Sequence, residues 1–177
     1  MGAPRYAEKA LLFTGALFSK EEYYIEALQA LEKNIGQTAM ESPPVKWDFS
    51  DHYKDELGGP IYRRFIFFKD LIDPSGLSDI KLTTNKIEAS LSSNGKRNIN
   101  LDPGYLTLAK VVLASTEDYS HRIYLKNGIY AEVTLIFKKG ERYFPHINTY
   151  RDYQDERFIK IFMIARGLFD VLARIQA

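Results

Sequence analysis

Charged and polar residues interrupt core-like sequence between Gly95 and Thr134, and this feature constrains the fold more than any other. The residues are Arg97, Asn100, Asp102, Lys110, His121, Arg122 and Glu132. A buried ionisable group destabilises a fold unless it is paired or hydrogen-bonded. The segment therefore predicts either a polar pocket or an ion-pair network, and it is the first place to look for a functional site.

Composition excludes several function classes. The 177 residues contain no cysteine, which rules out thiolate nucleophiles, disulfides and iron–sulfur clusters. The 24 basic and 23 acidic residues give a net charge of +1, without the basic excess of a non-specific DNA-binding protein. The apolar runs are too short to cross a bilayer, and no secretion signal begins the chain. We expect a cytoplasmic protein without a membrane partner, folded as a single domain over 1–177.

The first half of the sequence predicts strands and helices in alternation. Residues 9–18 favour a buried strand, broken or bulged near Gly15. Ser19 and Glu22 form a capping box that begins a helix ending near Gly36. Residues 61–69 have strand composition, and Asp73-Pro74-Ser75-Gly76 is a turn. Asn85 or Thr84, with Glu88, predicts a helix cap and a helix over 84–93.

The second half predicts a hairpin and a long helix. Residues 97–101 alternate as a strand, and Asp102-Pro103 favours a helix over 103–114, with a strand as the alternative because of Val111 and Val112. Asn127-Gly128 predicts a hairpin between 121–126 and 129–138. Apolar residues at helical spacing predict a terminal helix over 155–175.

This order predicts the α+β class, with a mostly antiparallel sheet and helices on one face. The specific topology expected is a ferredoxin-like βαββαβ core, followed by a C-terminal hairpin and a long terminal helix.

Hairpin geometry divides the polar residues of the segment. In a two-residue turn at Asn127-Gly128, paired positions sum to 255, which places His121 and Glu132 on one face and Arg122 on the other. A carboxylate and an imidazole beside apolar side chains have the composition of a general acid/base site. A satisfied hydrogen-bond network is the competing interpretation, and an Arg122–Glu132 pair is disfavoured by the parity.

Three residues are candidates for catalysis: Asp102, His121 and Glu132. The candidate ligand-binding residues are Arg97, Asn100, Tyr105, Lys110 and Arg122, because these side chains can contact an anionic group. The three histidines lack zinc-ligand spacing. Mg²⁺ needs one or two carboxylates and a phosphate, so Asp102 and Glu132 are the candidate metal ligands.

Tyrosines beside arginines, as in Tyr62-Arg63-Arg64, suggest an alternative nucleic-acid surface. The terminal helix is apolar enough to form a homodimer. A P-loop is missing, and Thr84-Asn85-Lys86-Ile87-Glu88 has Glu where the guanine-reading motif of GTPases has Asp.

At TTNKIEA, NINLDPGYL, VLAST, HRIYL and GIYAEVTL, the chain resembles a prokaryotic family of single-domain proteins of unknown function. The resemblance covers nearly the whole chain. Some relatives carry an automatic label of GTP-binding protein, and the family supplies no established catalytic residues.

Two hypotheses follow. In the first, the protein binds or acts on an anionic or phosphorylated small molecule or nucleotide, by acid/base or Mg²⁺-assisted chemistry. In the second, it is a non-enzymatic binding or oligomerisation module, RNA-associated in one version.

Overall fold

A computed structural model describes residues 2–177, which form one antiparallel sheet of nine strands. The strands are β1 (Ala10–Phe18), β2 (Thr38–Glu41), β3 (Val45–Trp47), β4 (Ile61–Ile72), β5 (Ile99–Leu106), β6 (Lys110–Ser115), β7 (Ile123–Lys126), β8 (Ile129–Phe137) and β9 (Tyr143–Pro145). Their order is β2-β4-β1-β5-β6-β8-β7, with β3 paired to β4 and β9 to β8. The predicted α+β class and mostly antiparallel sheet are confirmed.

Helices cover both faces of the sheet. They are α1 (Glu21–Asn34), α2 (Lys54–Leu57), α3 (Leu77–Ser90) and α4 (Glu156–Ile175). Leu12 and Phe18 of β1 share a buried cluster with Tyr24 of α1 and Ile87 of α3. Phe13 faces the other way, and its ring centroid lies 5.0 Å from that of Phe162 in α4. The prediction of helices on one face is wrong because consecutive positions of the central strands are apolar, so both faces require cover.

The terminal helix and the hairpin are confirmed. The Asp155 side chain accepts a hydrogen bond from the Arg157 amide and caps α4. Asn127 and Gly128 have φ values of 55° and 76°, the left-handed pair that a tight two-residue hairpin turn needs. Within residues 2–177, no helix combines the length and the apolar content needed to cross a membrane.

The predicted helix over 103–114 is wrong. Residues 99–106 pair with β1 as β5, and residues 110–115 form β6. The first pair between β5 and β6 is Gly104 with Leu113, so Pro103 lies where β5 has a free edge and a missing amide is tolerated.

Two predicted helix caps are also corrected. Helix α3 begins at Leu77, so Asn85 and Glu88 lie inside the helix rather than at its start. Helix α1 has no side-chain cap, because the Ser19 hydroxyl donates to the Leu57 carbonyl instead. Both helices are stabilised by their packing against the sheet, which outweighs the local capping signal.

Strand β1 is continuous at Gly15, contrary to the predicted break, and its register shift against β4 lies between Leu11 and Phe13. Gly15 instead makes room for a neighbour. A Cβ atom at this position would lie 2.9 Å from Arg63 Nη1 and 3.3 Å from the Tyr153 hydroxyl. The missing side chain lets the Arg63 guanidinium lie across β1 and reach Asp102 on the far side.

We predict that Gly15→Ala lowers the free energy of unfolding by about 1–3 kcal/mol, because the methyl group overpacks this contact. Gly167→Ala is the matched control: Gly167 has open space around its Cα in α4, and alanine there should stabilise the helix by up to about 1 kcal/mol. Urea unfolding measures both. Equal stability of Gly15→Ala and the wild type would contradict the assignment.

Candidate functional site

A cavity of about 740 Å³ opens where β5 and β6 separate. The two strands pair only between Gly104–Leu106 and Val111–Leu113, after which β6 follows β8 away from β5. Asn100 and Asp102 line one side of the opening, and residues 113–117 line the other. The remaining wall comes from α3, from residues 47–53 and 150–153, and from Arg63, Arg97 and Tyr119. The cavity thus collects polar residues from distant parts of the chain.

Arg63 crosses the floor of this cavity and is only 4% exposed. Its Nη2 atom donates to Asp152 Oδ2 at 2.8 Å, and its Nη1 atom lies 3.4 Å from Asp102 Oδ2. Trp47 Nε1 also donates to Asp152 Oδ2, at 3.0 Å. Arg63 therefore joins β4 to β5 and to the 3₁₀ turn at Arg151–Gln154.

Asp102 is a carboxylate that remains open to the cavity, with 27% of its side chain exposed. The Asn100 amide donates to it at 2.7 Å, whereas the two cations, Arg63 and Lys81, both lie at 3.4 Å. Burial alone would raise the pKa of Asp102, but the charges of Lys81 and Arg63 outweigh it and leave the pKa below its usual range. Asp102 is therefore an ionised acceptor whose ion pairs are long.

Arg97 connects the cavity to α2. Its Nε and Nη2 atoms donate to the Glu56 carboxylate at 2.7 and 2.8 Å, and its Nη1 atom donates to Glu88 at 3.2 Å and Asn100 at 2.8 Å. Burial raises the pKa of Glu88 despite the neighbouring cations. Two carboxyls of one cavity, Glu88 and Asp102, thus have pKa values displaced in opposite directions, the arrangement that separates an acid from a base.

Glu132, His121 and Arg122 form a second buried network. Glu132 accepts from Arg122 Nε at 2.9 Å, from Thr149 at 2.9 Å and from Thr134 at 3.3 Å, and His121 Nε2 lies 3.0 Å from it. The predicted His121–Glu132 contact is thus present, but these donors satisfy the carboxylate as a structural hydrogen-bond network would.

The predicted separation of Arg122 from Glu132 is wrong because the hairpin contains a bulge. Lys126 pairs with Ile129 as expected, but Tyr124 pairs with Tyr130 and Ile123 with Ala131, so Leu125 is an extra residue. One inserted residue reverses the side-chain parity of everything before it. Arg122 consequently lies opposite Glu132, while His121, which precedes β7 and is not subject to its alternation, reaches the same carboxylate from the turn.

Tyr150 joins the two networks. Arg122 Nη2 donates to the Tyr150 hydroxyl at 2.7 Å, and Tyr150 lines the cavity. Burial, followed by the charge of Asp102, raises the pKa of Tyr150 to about 12. The phenol is therefore protonated at neutral pH and stands at the boundary between the cavity and the Arg122–Glu132 pair.

The structure brings only part of the predicted site together. Asp102, Asn100 and Arg97 line the cavity, whereas His121, Arg122 and Glu132 lie behind Tyr150. Asp102 and Glu132 have different partners and are separated by β6, so they do not form a shared metal site. Across residues 2–177, no group of three or more His, Asp or Glu side chains is placed to hold a metal ion.

Tyr105 and Lys110 are not part of the cavity. Tyr105 packs against the cluster of Leu77 and Val112 on the opposite face, and Lys110 is exposed at the start of β6. Sequence reasoning missed Arg63, Asp152 and Tyr150 as site residues. One signal was available: Arg63 alternates with Ile61 and Phe65 in a strand, which places its side chain on an apolar face.

The sequence matches a family model described as "Domain of unknown function (DUF4416)" over residues 8–169. The chain belongs to the DUF4416 family. No curated protein and no solved structure matches it. The expected membership in a family of unknown function is confirmed, and the match includes every residue of the cavity wall.

The opposite pKa displacements in this DUF4416 chain predict opposite pH dependences. The pKa of Asp102 is lowered, so its contribution to stability is complete above about pH 4, the range of an unfolded Asp, and is lost as the pH falls through its folded pKa. The pKa of Glu88 is raised, so its contribution is complete at low pH and is lost as the pH rises through its folded pKa.

Urea unfolding of wild type, Asp102→Asn and Glu88→Gln between pH 3 and pH 7 tests this expectation. The stability of wild type minus that of Asp102→Asn should increase with pH over this range, and the same difference for Glu88→Gln should decrease. Parallel slopes for the two variants would show that the two carboxyls do not have divided roles.

Proposed function

We propose that this DUF4416 protein binds a small polar molecule that carries an anionic group, in the cavity between β5 and β6. The cavity volume of about 740 Å³ falls in the range of about 300–1,000 Å³ that small-molecule sites occupy. Aromatic side chains on the wall, including Trp47, Tyr53 and Tyr119, offer surfaces for a planar ring or a sugar face.

The observation that supports the proposal most is that the hydrogen-bond donors of Arg63 are incompletely satisfied. Its Nε atom is buried without a hydrogen-bond partner among residues 2–177, as is the neighbouring Tyr153 hydroxyl. Its ion pair with Asp102 is long, and Lys81, which donates to the Leu101 carbonyl at 3.0 Å, lies at the same 3.4 Å from that carboxylate and keeps one N–H free within residues 2–177. Two cations with unused hydrogen-bonding capacity in one cavity wall favour a ligand with a phosphate or carboxylate group.

The carboxylates of the cavity refine this proposal. Asp102, Glu88, Asp152 and Glu117 accompany the cations Arg63, Lys81, Arg97 and Arg151 on the wall. A ligand with only negative groups would meet as much repulsion as attraction, so the ligand also needs hydroxyl, amine or amide donors. Sugar phosphates and nucleotides meet both requirements, and Mg²⁺ enters the proposal only as the counter-ion of such a phosphate.

We further propose acid/base chemistry on that ligand. Asp102 is the ionised carboxylate and Glu88 the carboxyl that retains its proton to higher pH, the division of roles that general acid/base catalysis requires. His121 and Glu132 take a positioning role in this proposal, because they hold Arg122 behind the cavity.

We also propose that β1, α1, β2, β4, α3 and β5 form a ferredoxin-like core. The order β2-β4-β1-β5 and the two helices α1 and α3 in contact on one face support this proposal. Strands β6 to β9 then extend the sheet beyond β5, and the cavity lies at the junction of the core and this extension.

A panel of matched pairs tests the proposed ligand class: ribose 5-phosphate with ribose, AMP with adenosine, and GTP with guanosine, each with Mg²⁺ and with EDTA. Because specific binding to the native state raises apparent stability, at least one phosphorylated member should raise the melting temperature by several degrees and its parent by less. Lys81→Met should reduce the shift, while Lys126→Met, in a surface ion pair, should not. Equal effects of phosphorylated and parent compounds would remove the anionic group from the proposal.

A second candidate function rests on strand β7, the edge of the sheet. Ile123, Tyr124 and Leu125 are 72%, 57% and 39% exposed. The nearby cations are occupied, since Arg122 is buried against Glu132 and Lys126 pairs with Asp79. An exposed apolar edge without free positive charge favours pairing with a second copy of the chain over binding to RNA.

Light scattering tests this second candidate. A homodimer should dissociate in Ile123→Glu, which places a charge on the edge, and should persist in Ile147→Glu, a matched exposed residue outside the strand. A monomeric wild type would exclude self-association through β7, and retention on heparin with steep salt dependence would return nucleic acid to consideration.

A further inference from the structure

The hydroxyl group of Tyr150 has an O–H donor that no protein acceptor in residues 2–177 uses. Arg122 donates to the Tyr150 oxygen at 2.7 Å, and a guanidinium can only donate, so the phenolic proton of this 43% exposed residue is left for water or for a ligand. In residues 2–177, the Tyr150 O–H group donates to no protein acceptor. An acceptor oxygen on a ligand in the cavity would complete the pair.

Tyr150 is held in place before any ligand arrives. The adjacent Thr149 hydroxyl donates to Glu132 at 2.9 Å, and the Tyr150 carbonyl accepts from the Tyr153 amide at 3.1 Å. Arg122 is itself fixed by Glu132 and stacks over the Tyr119 ring, with its Cζ atom 4.6 Å from the ring centroid. A preorganised donor backed by a guanidinium suits a negatively charged oxygen.

Asp102 presents the opposite chemistry elsewhere in the cavity wall. Its carboxylate is partly exposed to the cavity and, among residues 2–177, accepts one short hydrogen bond, from Asn100, so it keeps acceptor capacity that its long ion pairs do not use. A carboxylate in this state favours a ligand group that donates a hydrogen bond.

We infer that the ligand has two chemically different ends: an oxyanion end that accepts from Tyr150, and a hydroxyl or amine end that donates to Asp102. This inference rests on the proposed function and deepens it by assigning the orientation in which the ligand binds in the cavity. Hydroxylated phosphates and hydroxylated carboxylates are the ligand classes that fit. Tyr150 then determines specificity for the oxyanion, and Asp102 for the donor.

The test compares two variants against two compounds by calorimetric titration. The compounds are the phosphorylated member of the panel above that stabilises the wild type most, and inorganic phosphate. Tyr150→Phe should weaken binding of both compounds by about tenfold to hundredfold, the value of one hydrogen bond to a charged group. Asp102→Asn should weaken the phosphorylated compound by a similar factor and should not weaken inorganic phosphate, because the substitution removes a negative charge from the cavity wall.

Matched controls separate these effects from general damage. Tyr124→Phe lies on the exposed edge strand and Asp79→Asn in a surface ion pair, and neither should change binding. In the wild type, an oxyanion that accepts from Tyr150 should also shift the ring resonances of Tyr150 on binding, which NMR of ring-labelled tyrosine detects. Moving to a carboxylate at the same end of the sugar, as in riburonate (the C5 carboxylate) for ribose 5-phosphate, distinguishes the two oxyanion classes.

The outcomes are distinguishable. If no phosphorylated compound and no carboxylate binds the wild type, the proposed function and this inference both fail. If one binds and Tyr150→Phe binds it equally well, or if Asp102→Asn weakens inorganic phosphate as much as the larger compound, the inference fails and the proposed function stands.

Discussion

The buried guanidinium of Arg63 is the interaction on which the rest of this structure depends. A charge with 4% exposure requires counter-ions inside the protein, and Arg63 obtains them from Asp152 and Asp102. Asp152 brings the 3₁₀ turn at Arg151–Gln154 over the sheet, and Asp102 fixes the contact with β5. Gly15 makes the arrangement possible because any side chain there would displace the guanidinium.

The same charge explains why the cavity is polar. Strands β5 and β6 diverge on the N-terminal side of Gly104 and the C-terminal side of Leu113. Apolar side chains in this opening would be at least as stabilising as ion pairs. Instead the opening contains the ion pairs Lys81–Asp102 and Arg97–Glu88, which Asn100 joins, and behind Tyr150 a second network around Glu132. Ionisable groups with displaced pKa values in a cleft are more typical of functional sites than of cores.

The sequence predicted the elements whose signals are local. The left-handed turn at Asn127-Gly128 and the periodicity of residues 155–175 each determine one structure, and both are confirmed. The helix expected over 103–114 failed because Asp-Pro is a helix start only when no neighbouring strand competes, and β1 pairs with β5 along its whole length. Long-range pairing overrode local propensity there.

The sequence predicted where the site lies better than it predicted which residues form it. Asp102, Asn100 and Arg97 were identified because charge within apolar sequence marks them, whereas Asp152 and Tyr150 lie in a segment whose position depends on tertiary contacts. The Arg122–Glu132 pair was disfavoured because the predicted register contains no bulge, whereas a one-residue bulge at Leu125 reverses the parity, and no feature of the turn sequence indicates that bulge. Register errors of this kind affect every residue beyond them.

Chemical-shift mapping by NMR is the most direct test of whether the cavity between β5 and β6 binds an anionic ligand, because it locates binding without assuming a reaction. On titration with ribose 5-phosphate, AMP or GTP, we expect saturable shifts at the backbone amides of Asn100, Asp102 and Tyr150. The amides of the exposed edge strand β7 should not move. Shifts confined to surface lysines, or no saturable shift with any of the three compounds, would contradict the claim that the cavity between β5 and β6 is an anionic-ligand site.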